Sequence, residues 1–399
     1  MSGAGFDVDT CDAVVVGGGP AGATAADDLA RAGWRVLLID REGRIKPCGG
    51  AVPPRLLEEF AIPASLLVAR AESARMVAPS RRTVDIPIDG GCVGMVDRAQ
   101  FDPWLRRRAA AHGAVRVDAV VERIDRDPDG TAVVVHHLPD GGVRRQRTRV
   151  VVAADGARSR IAQQTVPGAQ QGRCVFAYHE IVATPVAQPA AVAPSRCEVH
   201  YDATLSPDFY GWVFPHGATI SIGTGSADRG FSLRRGVTQL RERVGLGAAA
   251  TLRREGAPIP MKPLPRWDNG RDVVLAGDAA GVVAPASGEG IYYAMLSGRL
   301  AAQACAALLQ GADAAVLAQP RRQFMRLHGR VFWVLELMQR FWYGSDGRRE
   351  RFVSICRDRD VQHLTFEAYL HKRLVRARPL AHLRIFLKDL AHLLGVVRA

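Results

Sequence analysis

A glycine-rich turn near the start of the chain contains the first residues whose types and spacing could do chemistry. Gly17, Gly19 and Gly22 follow the β-branched residues 14–16 at the spacing G-x-G-x-x-G. Gly17 permits a tight turn, Gly19 leaves room for a pyrophosphate beside the backbone, and Gly22 lets a helix pack closely on the strand. The helix N-terminus then offers free N–H groups to the anion. The turn therefore predicts a dinucleotide-binding site.

A second strand and an acidic residue complete this unit. Residues 23–29 are typical of a helix closed by Gly33, and the apolar residues 36–39 are typical of a strand that ends at Asp40. A carboxylate at this place can accept hydrogen bonds from ribose hydroxyls. The alternative is an ordinary βαβ unit with a glycine-rich turn. The motif alone does not separate FAD from NAD(P).

The loop after Asp40 carries a cysteine. Residues 41–54 are rich in glycine and proline, and Cys48 is followed by Gly49 and Gly50. A thiol is a reasonable acid near neutral pH, and loops beside a cofactor fold often carry function. The alternative is a cysteine packed as a small hydrophobic residue. The two glycines disfavour that alternative because they add little to a packed core.

Two further segments repeat the strand-to-turn pattern. The apolar residues 150–154 lead into an Asp-Gly pair at 155–156, and residues 271–276 lead into a Gly-Asp pair at 277–278. Both pairs lie where a predicted buried strand ends.

One arginine and two glycines stand at further predicted helix starts. Arg98 begins a helix that ends near Gly113, which would direct its side chain to a phosphate or a flavin edge; the alternative is a solvent-facing residue. Gly288 and Gly290 precede a helix over 294–309 and predict a second N-terminus able to bind an anion.

Aromatic side chains alternate with other residues at 210–214. Tyr210, Trp212 and Phe214 would share one face of a strand. They form either the core of a β-sheet or an apolar wall for a substrate.

The remaining patterns predict the elements around these residues. We expect a helix over 55–70 with a break at Pro63, strands over 75–88, 115–124, 131–137 and 143–149, further strands within 171–226, and helices from 321 onward. Near the end, residues 383–394 form a basic amphipathic helix pattern. It either packs on the body of the protein or lies on a membrane surface.

Length and cysteine usage set the broad class. The 399 residues suit two or three domains or one composite fold, and no apolar run is long enough for a transmembrane helix. Residues 1–9 are acidic and polar, unlike a signal peptide. The seven cysteines lack C-x-x-C pairs, which disfavours a zinc site or a disulfide framework and fits a reducing cytosol.

The net charge of +13 is compatible with several partners. An anionic membrane surface, an anionic substrate and ordinary solvated basic faces all fit it. The arginines are spread along the chain without a nucleic-acid-binding module, so we expect no nucleic-acid partner. No pattern indicates an oligomeric state.

With these segments, the chain resembles the geranylgeranyl reductase family of FAD-dependent oxidoreductases, which have the fold of para-hydroxybenzoate hydroxylase. The glycine turn and the pairs at 155–156 and 277–278 are generic to that fold and indicate FAD as the tightly bound nucleotide. Four segments resemble the reductase branch: KPCGG (46–50), VGMVDR (93–98), YGWVFP (210–215) and PASGEGI (285–291). Residues 341–394 are similar to the (bacterio)chlorophyll-biosynthetic members. Asp40 departs from the glutamate of many members, but the shorter acid still serves ribose.

The resemblance implies an α/β composite fold in which a Rossmann-type FAD-binding domain is combined with an antiparallel-sheet substrate domain and a helical C-terminal region. The expected division is FAD-binding parts at 1–75, 99–165 and 266–315, substrate-domain strands at 76–98, the antiparallel substrate domain at 166–265, and the helical region at 316–399.

The resemblance also implies a set of site residues. The FAD-binding set is Gly17, Gly19, Pro20, Ala21, Gly22, Asp40, Arg41, Cys48, Gly49, Gly50, Ala51, Arg98, Val120, Asp155, Gly156, Gly277, Asp278, Pro285, Gly288, Gly290 and Ile291. Tyr210, Trp212 and Phe214 would contact the substrate, and Cys48, Tyr210 and Trp212 would take part in catalysis.

The reaction implied is the reduction of three C=C bonds, which converts a geranylgeranyl group to phytyl with NADPH as donor. An isolated alkene has no carbonyl to stabilise a carbanion, so a proton must arrive with or before the hydride. Aromatic faces can stabilise the resulting positive charge, and Cys48 is the candidate to relay or position the proton. The expected substrate is geranylgeranyl-bacteriochlorophyll(ide), and we expect a peripheral protein on the cytoplasmic side of a membrane.

Three alternatives stay open. The first is a reductase of free geranylgeranyl diphosphate or of isoprenoid lipids. The second is a flavin monooxygenase on the same fold, which would consume O₂ and hydroxylate an aromatic substrate. The third is a prenyl-binding escort protein without redox chemistry, which would be colourless when purified.

Overall fold

Alternating aliphatic residues build the strands of this structure, a computed structural model that describes residues 10–88, 91–186, 192–362 and 372. Its strands are β1 (Thr10–Val16), β2 (Val36–Asp40), β3 (Ala51–Val52), β4 (Leu67–Ala71), β5 (Ser73–Val77), β6 (Thr83–Pro87), β7 (Val93–Val96), β8 (Val115–Asp118), β9 (Val120–Arg126), β10 (Ala132–His137), β11 (Val143–Ala153), β12 (Cys174–Ala183), β13 (Arg196–His200), β14 (Gly211–His216), β15 (Thr219–Ser226), β16 (Thr251–Pro260) and β17 (Val273–Leu275). Its α-helices are α1 (Pro20–Arg31), α2 (Pro54–Glu59), α3 (Arg98–Ala111), α4 (Arg160–Thr165), α5 (Leu233–Arg243), α6 (Ile291–Leu309), α7 (Gln319–Trp342) and α8 (Asp346–Ile355).

The first sheet is parallel at its centre. Its order is β8-β2-β1-β11-β10-β9, and β17 pairs with the last residues of β11. Val14 and Val16 belong to the hydrophobic cluster on one face of β1, while Val15 joins α1 and α6 on the other face. Because both faces are covered, the strand is continuously apolar from Ala13 to Val16, as buried parallel strands usually are.

The second sheet is mainly antiparallel, with the order β16-β12-β15-β14-β13-β5-β6. Val213 of β14 and Ile222 of β15 pack against Val237 and Leu240 of α5. Since side chains alternate along a strand, Trp212 is directed to the opposite face, which borders the site described below. A small third sheet, β3-β7-β4, completes the described strands.

Helix α7 packs on α6 through aromatic rings. Phe332 and His328 lie 5.0 and 5.2 Å from the ring of Tyr293, centroid to centroid. Burial lowers the pKa of His328 to about 4, so this ring is neutral at pH 7 and packs as an apolar group. Among the described residues, no helix combines the length and apolar composition needed to cross a bilayer.

Several elements differ from the sequence-based expectation. The helix expected over 55–70 ends at Glu59, and its second half is instead strand β4, which pairs with β7. The strand expected over 75–88 is a β5–β6 hairpin, with Arg81 in the left-handed region at its turn. Residues 143–153 form one strand rather than two. Residues 383–394 lie outside the described residues.

The close contact between α1 and α6 gives a test of this packing. A Cβ atom on Gly298 would lie 2.2 Å from the carbonyl oxygen of Ala21, which is rigid backbone. We expect Gly298→Ala to lower the free energy of unfolding by about 1–3 kcal/mol, measured by urea denaturation. Gly347 of α8 is the control, because a Cβ there meets nothing within 4 Å and Gly347→Ala should not destabilise. A Gly298→Ala protein as stable as the unsubstituted one would contradict the packing.

Candidate active site

The turn between β1 and α1 has the close contacts that the glycine spacing predicts. Gly17 adopts φ +97°, and a Cβ on Gly22 would lie 1.8 Å from the carbonyl oxygen of Gly17. A Cβ on Gly19 would meet no protein atom within 4 Å. Gly19 is the N-cap of α1, so the free N–H groups of the first turn begin at this open backbone. A pyrophosphate has both the space and the donors that it needs here.

A groove of about 490 Å³ runs from this turn along the carboxyl ends of the first sheet's strands. It is lined by eleven of the predicted FAD-binding residues, namely Gly17, Gly19, Pro20, Ala21, Asp40, Arg41, Val120, Asp155, Gly156, Gly277 and Asp278. Arg44, Arg106, Arg158 and Arg160 also line it and were missed. Their positive charges suit the phosphates of a dinucleotide.

Asp40 lies at the tip of β2 and is held by α3. Its Oδ2 accepts a hydrogen bond from Arg106 Nη1 at 3.1 Å, and the same nitrogen donates to the carbonyl oxygen of Gly18 at 3.2 Å. Burial raises the pKa of Asp40, although the Gly18 N–H and Arg106 act in the opposite direction. The carboxylate lines the groove together with the glycine turn.

Three charged residues one turn apart on α3 face the site. Arg98, Asp102 and Arg106 are each less than 7% exposed. Arg98 donates to both carboxylate oxygens of Asp102, at 2.6 and 2.7 Å. Burial disfavours the charged guanidinium, but Asp102 outweighs it, and the neighbouring Cys48 sulfur acts in the same direction, so the pKa of Arg98 is raised. The i, i+4, i+8 spacing of these charges is a signal that could have identified Asp102 and Arg106.

A second, smaller cavity of about 100 Å³ adjoins the groove. Cys48, Gly49, Arg98, Trp212, Gly288, Gly290 and Ile291 line it, together with His179, which was missed. Lys46 borders both spaces and pairs with Asp278, which ties the cysteine loop to the turn after β17. The predicted cysteine, arginine and tryptophan are therefore brought together.

Close packing explains why glycines follow Cys48. A Cβ on Gly50 would lie 2.4 Å from the carbonyl oxygen of Val96, and its φ is +74°. A Cβ on Gly49 would lie 3.0 Å from the ring of Phe214. The Gly50 N–H donates to the sulfur of Cys48 at 3.4 Å. The glycines therefore allow the half-buried thiol to lie close to the aromatic strand β14.

The three aromatic residues at 210–214 lie in a row, but only one lines the cavity. Ring centroids are 6.2 Å apart for Tyr210 and Trp212 and 6.4 Å apart for Trp212 and Phe214. Trp212 lines the cavity, whereas Phe214 packs at Gly49. The Tyr210 hydroxyl donates to the carbonyl oxygen of Ser287, and burial raises its pKa.

A buried hydrogen-bond chain fixes Trp212. Its Nε1 donates to Ser221 Oγ at 3.2 Å, and Ser221 also bonds His179 Nδ1 at 3.1 Å. His179 Nε2 lies 2.9 Å from Glu255 Oε2. A Cβ on Gly223 would lie 2.3 Å from the indole, so this position must stay small. Trp212, Ser221, His179 and Glu255 come from four strands and carry no local sequence signal.

The loop before α6 approaches the cavity from the other side. Gly288 adopts φ +65°, and Gly290 is the N-cap of α6. Between them, Glu289 is buried and forms an ion pair with the buried Lys372. Burial raises the pKa of Glu289 and lowers that of Lys372, while the pairing opposes both shifts.

Six predicted residues border neither cavity. Gly22 and Gly50 act through backbone packing, Ala51 lies in β3, and Tyr210 and Phe214 flank Trp212. Pro285 borders a third groove, described below. The open Gly19 backbone, the two helix N-termini and the basic groove together fit FAD, with Asp40 placed for its ribose.

Replacing Gly19 tests this fit. Because a side chain at residue 19 meets no protein atom within 4 Å but enters the groove, Gly19→Val should reduce FAD affinity at least ~10-fold while leaving the apoprotein folded, at an N-cap cost of at most about 1 kcal/mol. FAD binding is followed by quenching of flavin fluorescence, and apoprotein stability by urea denaturation. Unchanged FAD affinity would show that the nucleotide does not approach this backbone.

Comparison with known proteins gives the family. Residues 10–323 match the family model described as "FAD binding domain". The chain is 55% identical over 386 residues to "Geranylgeranyl diphosphate reductase" of Rhodobacter capsulatus, covering 97% of this chain and 98% of that protein. It is 31% identical over 320 residues to "Digeranylgeranylglycerophospholipid reductase 1" of Methanopyrus kandleri, covering 76% and 82%.

A solved structure confirms the predicted fold class. The structure of a geranylgeranyl bacteriochlorophyll reductase-like protein from Thermoplasma acidophilum superposes with a TM-score of 0.81 at 21% identity, covering 94% of this chain and 99% of that chain. The match to the FAD-binding family model and the 55% identity over nearly the whole chain show the family. It belongs to the geranylgeranyl reductase family of FAD-dependent oxidoreductases.

Proposed function

We propose that the protein reduces the isolated C=C bonds of a geranylgeranyl group to phytyl, with NADPH as donor and geranylgeranyl-bacteriochlorophyll(ide) as substrate. One observation carries the proposal: the cavity that Cys48 and Trp212 share and a third, larger groove both border strand β12. Space of this extent suits a long prenyl chain.

The cavity and the third groove border the same face of the second sheet. Ala177 and His179 of β12 line the cavity, and Val175, on the same face, lines a third groove of about 770 Å³. Their partners on β16 continue the row, since Val175 pairs with Ile259 and Ala177 with Ala257. At about 3.3 Å per residue, Val175 and His179 are about 13 Å apart. A prenyl chain could lie along this row with one alkene in the cavity.

The protein's part in the chemistry follows from the cavity walls. FAD, when bound, supplies the hydride. An isolated alkene accepts it only if a proton arrives with or before it, so positive charge develops on carbon. Trp212 offers an aromatic face to that charge, and the buried walls exclude water from the reacting atoms. We propose that Cys48 delivers or relays the proton, and the contacts of its sulfur with Arg98 and the Gly50 N–H support this role.

A second candidate substrate is free geranylgeranyl diphosphate. The third groove is bordered by Arg173, Lys262, Arg321 and Arg340, and these cations suit an anionic headgroup at the far end of a prenyl chain. The Rhodobacter capsulatus relative is named for the diphosphate, and the Methanopyrus kandleri relative for a phospholipid. All three substrates share the prenyl chain and differ in the head.

We also propose that the protein associates peripherally with a membrane. The pigment substrate is lipophilic, and the net charge of +13 favours an anionic surface. The basic amphipathic pattern at 383–394 is a predicted anchor outside the described residues.

An anaerobic reduction assay tests the reaction. With FAD-loaded protein, NADPH and geranylgeranyl-bacteriochlorophyll, we expect the mass of the pigment tail to rise by two hydrogens per step. Parallel reactions with geranylgeranyl diphosphate and a digeranylgeranyl phospholipid identify the head. If only the diphosphate or only the phospholipid is saturated, the substrate assignment changes but the reductase reaction stands. NADPH oxidation only in the presence of O₂, with a hydroxylated product, would contradict the reductase.

Substitution of Cys48 tests the proton role. General acid catalysis contributes about 10²–10⁴-fold, so Cys48→Ala should lower kcat by at least ~10² while FAD content is unchanged. Cys48→Ser retains an O–H donor and should recover part of the rate. Cys92 is half-buried and lies outside both cavities, so Cys92→Ala is the matched control. If Cys48→Ala turns over at the rate of the unsubstituted protein, the thiol has no role in proton delivery or relay.

A further inference from the structure

One exposed face of α7 carries a stripe of basic and apolar residues. The α7 stripe consists of Arg322, Arg326, Arg330, Trp333, Leu337 and Arg340, all exposed. Successive members are three or four residues apart, which places them on one side of the helix. From Arg322 to Arg340 the stripe is about 27 Å long, at 1.5 Å per residue.

The apolar members of the stripe are unusually exposed. Trp333 is 64% exposed and Leu337 is 53% exposed, and Leu327 beside them is 56% exposed. Six large hydrophobic residues in the described part of the chain are at least 53% exposed, and three of them lie on α7. Single exposed hydrophobic residues need no explanation, but a cluster indicates an interaction surface.

The basic members of the stripe have few acidic neighbours. Helix α7 contains five arginines and a single acidic residue, Glu336, which pairs with Arg340. Within the described residues, Arg322, Arg326 and Arg330 form no ion pair. An extended surface that attracts anions and also offers tryptophan and leucine matches the headgroup region of an anionic bilayer.

The stripe borders the mouth of the third groove. Trp333 and Arg340 belong to both, and Met325 and Gly329 of α7 line the same groove. A prenyl chain that leaves a bilayer beneath the stripe would therefore meet the groove directly.

We propose that the α7 stripe lies on the surface of an anionic lipid bilayer and orients the third groove toward the lipid. The arginines contact lipid phosphates, and Trp333 and Leu337 insert between headgroups. The orientation deepens the proposed function, because it rests on a lipophilic prenyl substrate entering through that groove. It is independent of the predicted anchor at 383–394.

Vesicle flotation with the full-length, FAD-loaded protein tests the proposal. The vesicles contain phosphatidylcholine alone or mixed with phosphatidylglycerol. We expect binding only to the anionic vesicles, weakened at least ~10-fold by Trp333→Ser/Leu337→Ser and by Arg322→Gln/Arg326→Gln/Arg330→Gln, because both the apolar and the charged contacts contribute. Trp333 fluorescence should also be quenched by brominated lipid.

The controls remove an equal number of arginines, and one exposed leucine, elsewhere on the surface. Leu252 is 57% exposed on β16, and Arg107, Arg229 and Arg235 are exposed outside α7. Leu252→Ser and Arg107→Gln/Arg229→Gln/Arg235→Gln should bind vesicles as the unsubstituted protein does. A general effect of net charge would weaken the arginine control equally and would overturn the proposal.

Two further outcomes would also overturn it. One is unchanged vesicle binding of both α7 variants, with binding lost only on deletion of 383–399. The other is that the unsubstituted protein does not bind vesicles, which is the result expected if the α7 stripe docks an acidic protein instead of lipid. Reductase activity on detergent-solubilised substrate separates these results from the proposed function, since Arg322→Gln/Arg326→Gln/Arg330→Gln changes no residue that lines the third groove and should keep full turnover in detergent.

Discussion

The contact of Gly22 with the carbonyl oxygen of Gly17 is the constraint on which the rest of the site depends. A Cβ at residue 22 would lie only 1.8 Å from that oxygen, so α1 can begin directly at the end of β1 only without a side chain there. The helix N-terminus consequently opens onto the edge where β2, β11 and β17 also end. The nucleotide groove follows from this one short turn, and the second sheet then has to supply the opposite wall.

The second sheet supplies that wall through the alternation of its side chains. In β14, Val213 packs on α5, and its neighbours Trp212 and Phe214 are directed to the site. The same rule places Val175, Ala177 and His179 in one row on β12. One face of the sheet therefore holds its helix, and the other borders both the small cavity and the third groove. Polar anchoring of Trp212 through Ser221 keeps the aromatic wall in place without adding charge to the cavity.

The sequence predicts the parts of this site that depend on local chemistry. The glycine turn, Asp40 and the turns at 155–156 and 277–278 are short-range patterns, and the groove brings them together. The link between Trp212, Ser221, His179 and Glu255 depends on pairing β12 with β15 and β16, over 42 and 76 residues, and no local pattern encodes it. The helix predicted over 55–70 was wrong in its second half because hydrogen bonds to β7 outweigh helical spacing.

The buried pair of Glu289 and Lys372 links the loop before α6 to a residue 83 positions further along the chain. Removing one partner of such a pair leaves an uncompensated charge in the interior, at a cost of about 3–5 kcal/mol. Lys372 therefore supports the loop before α6, although it lies far from that loop in the sequence. A truncation that ends before 372 removes this lysine and leaves Glu289 buried without its partner charge. Shortened forms of this protein can be compared for function only when they retain Lys372.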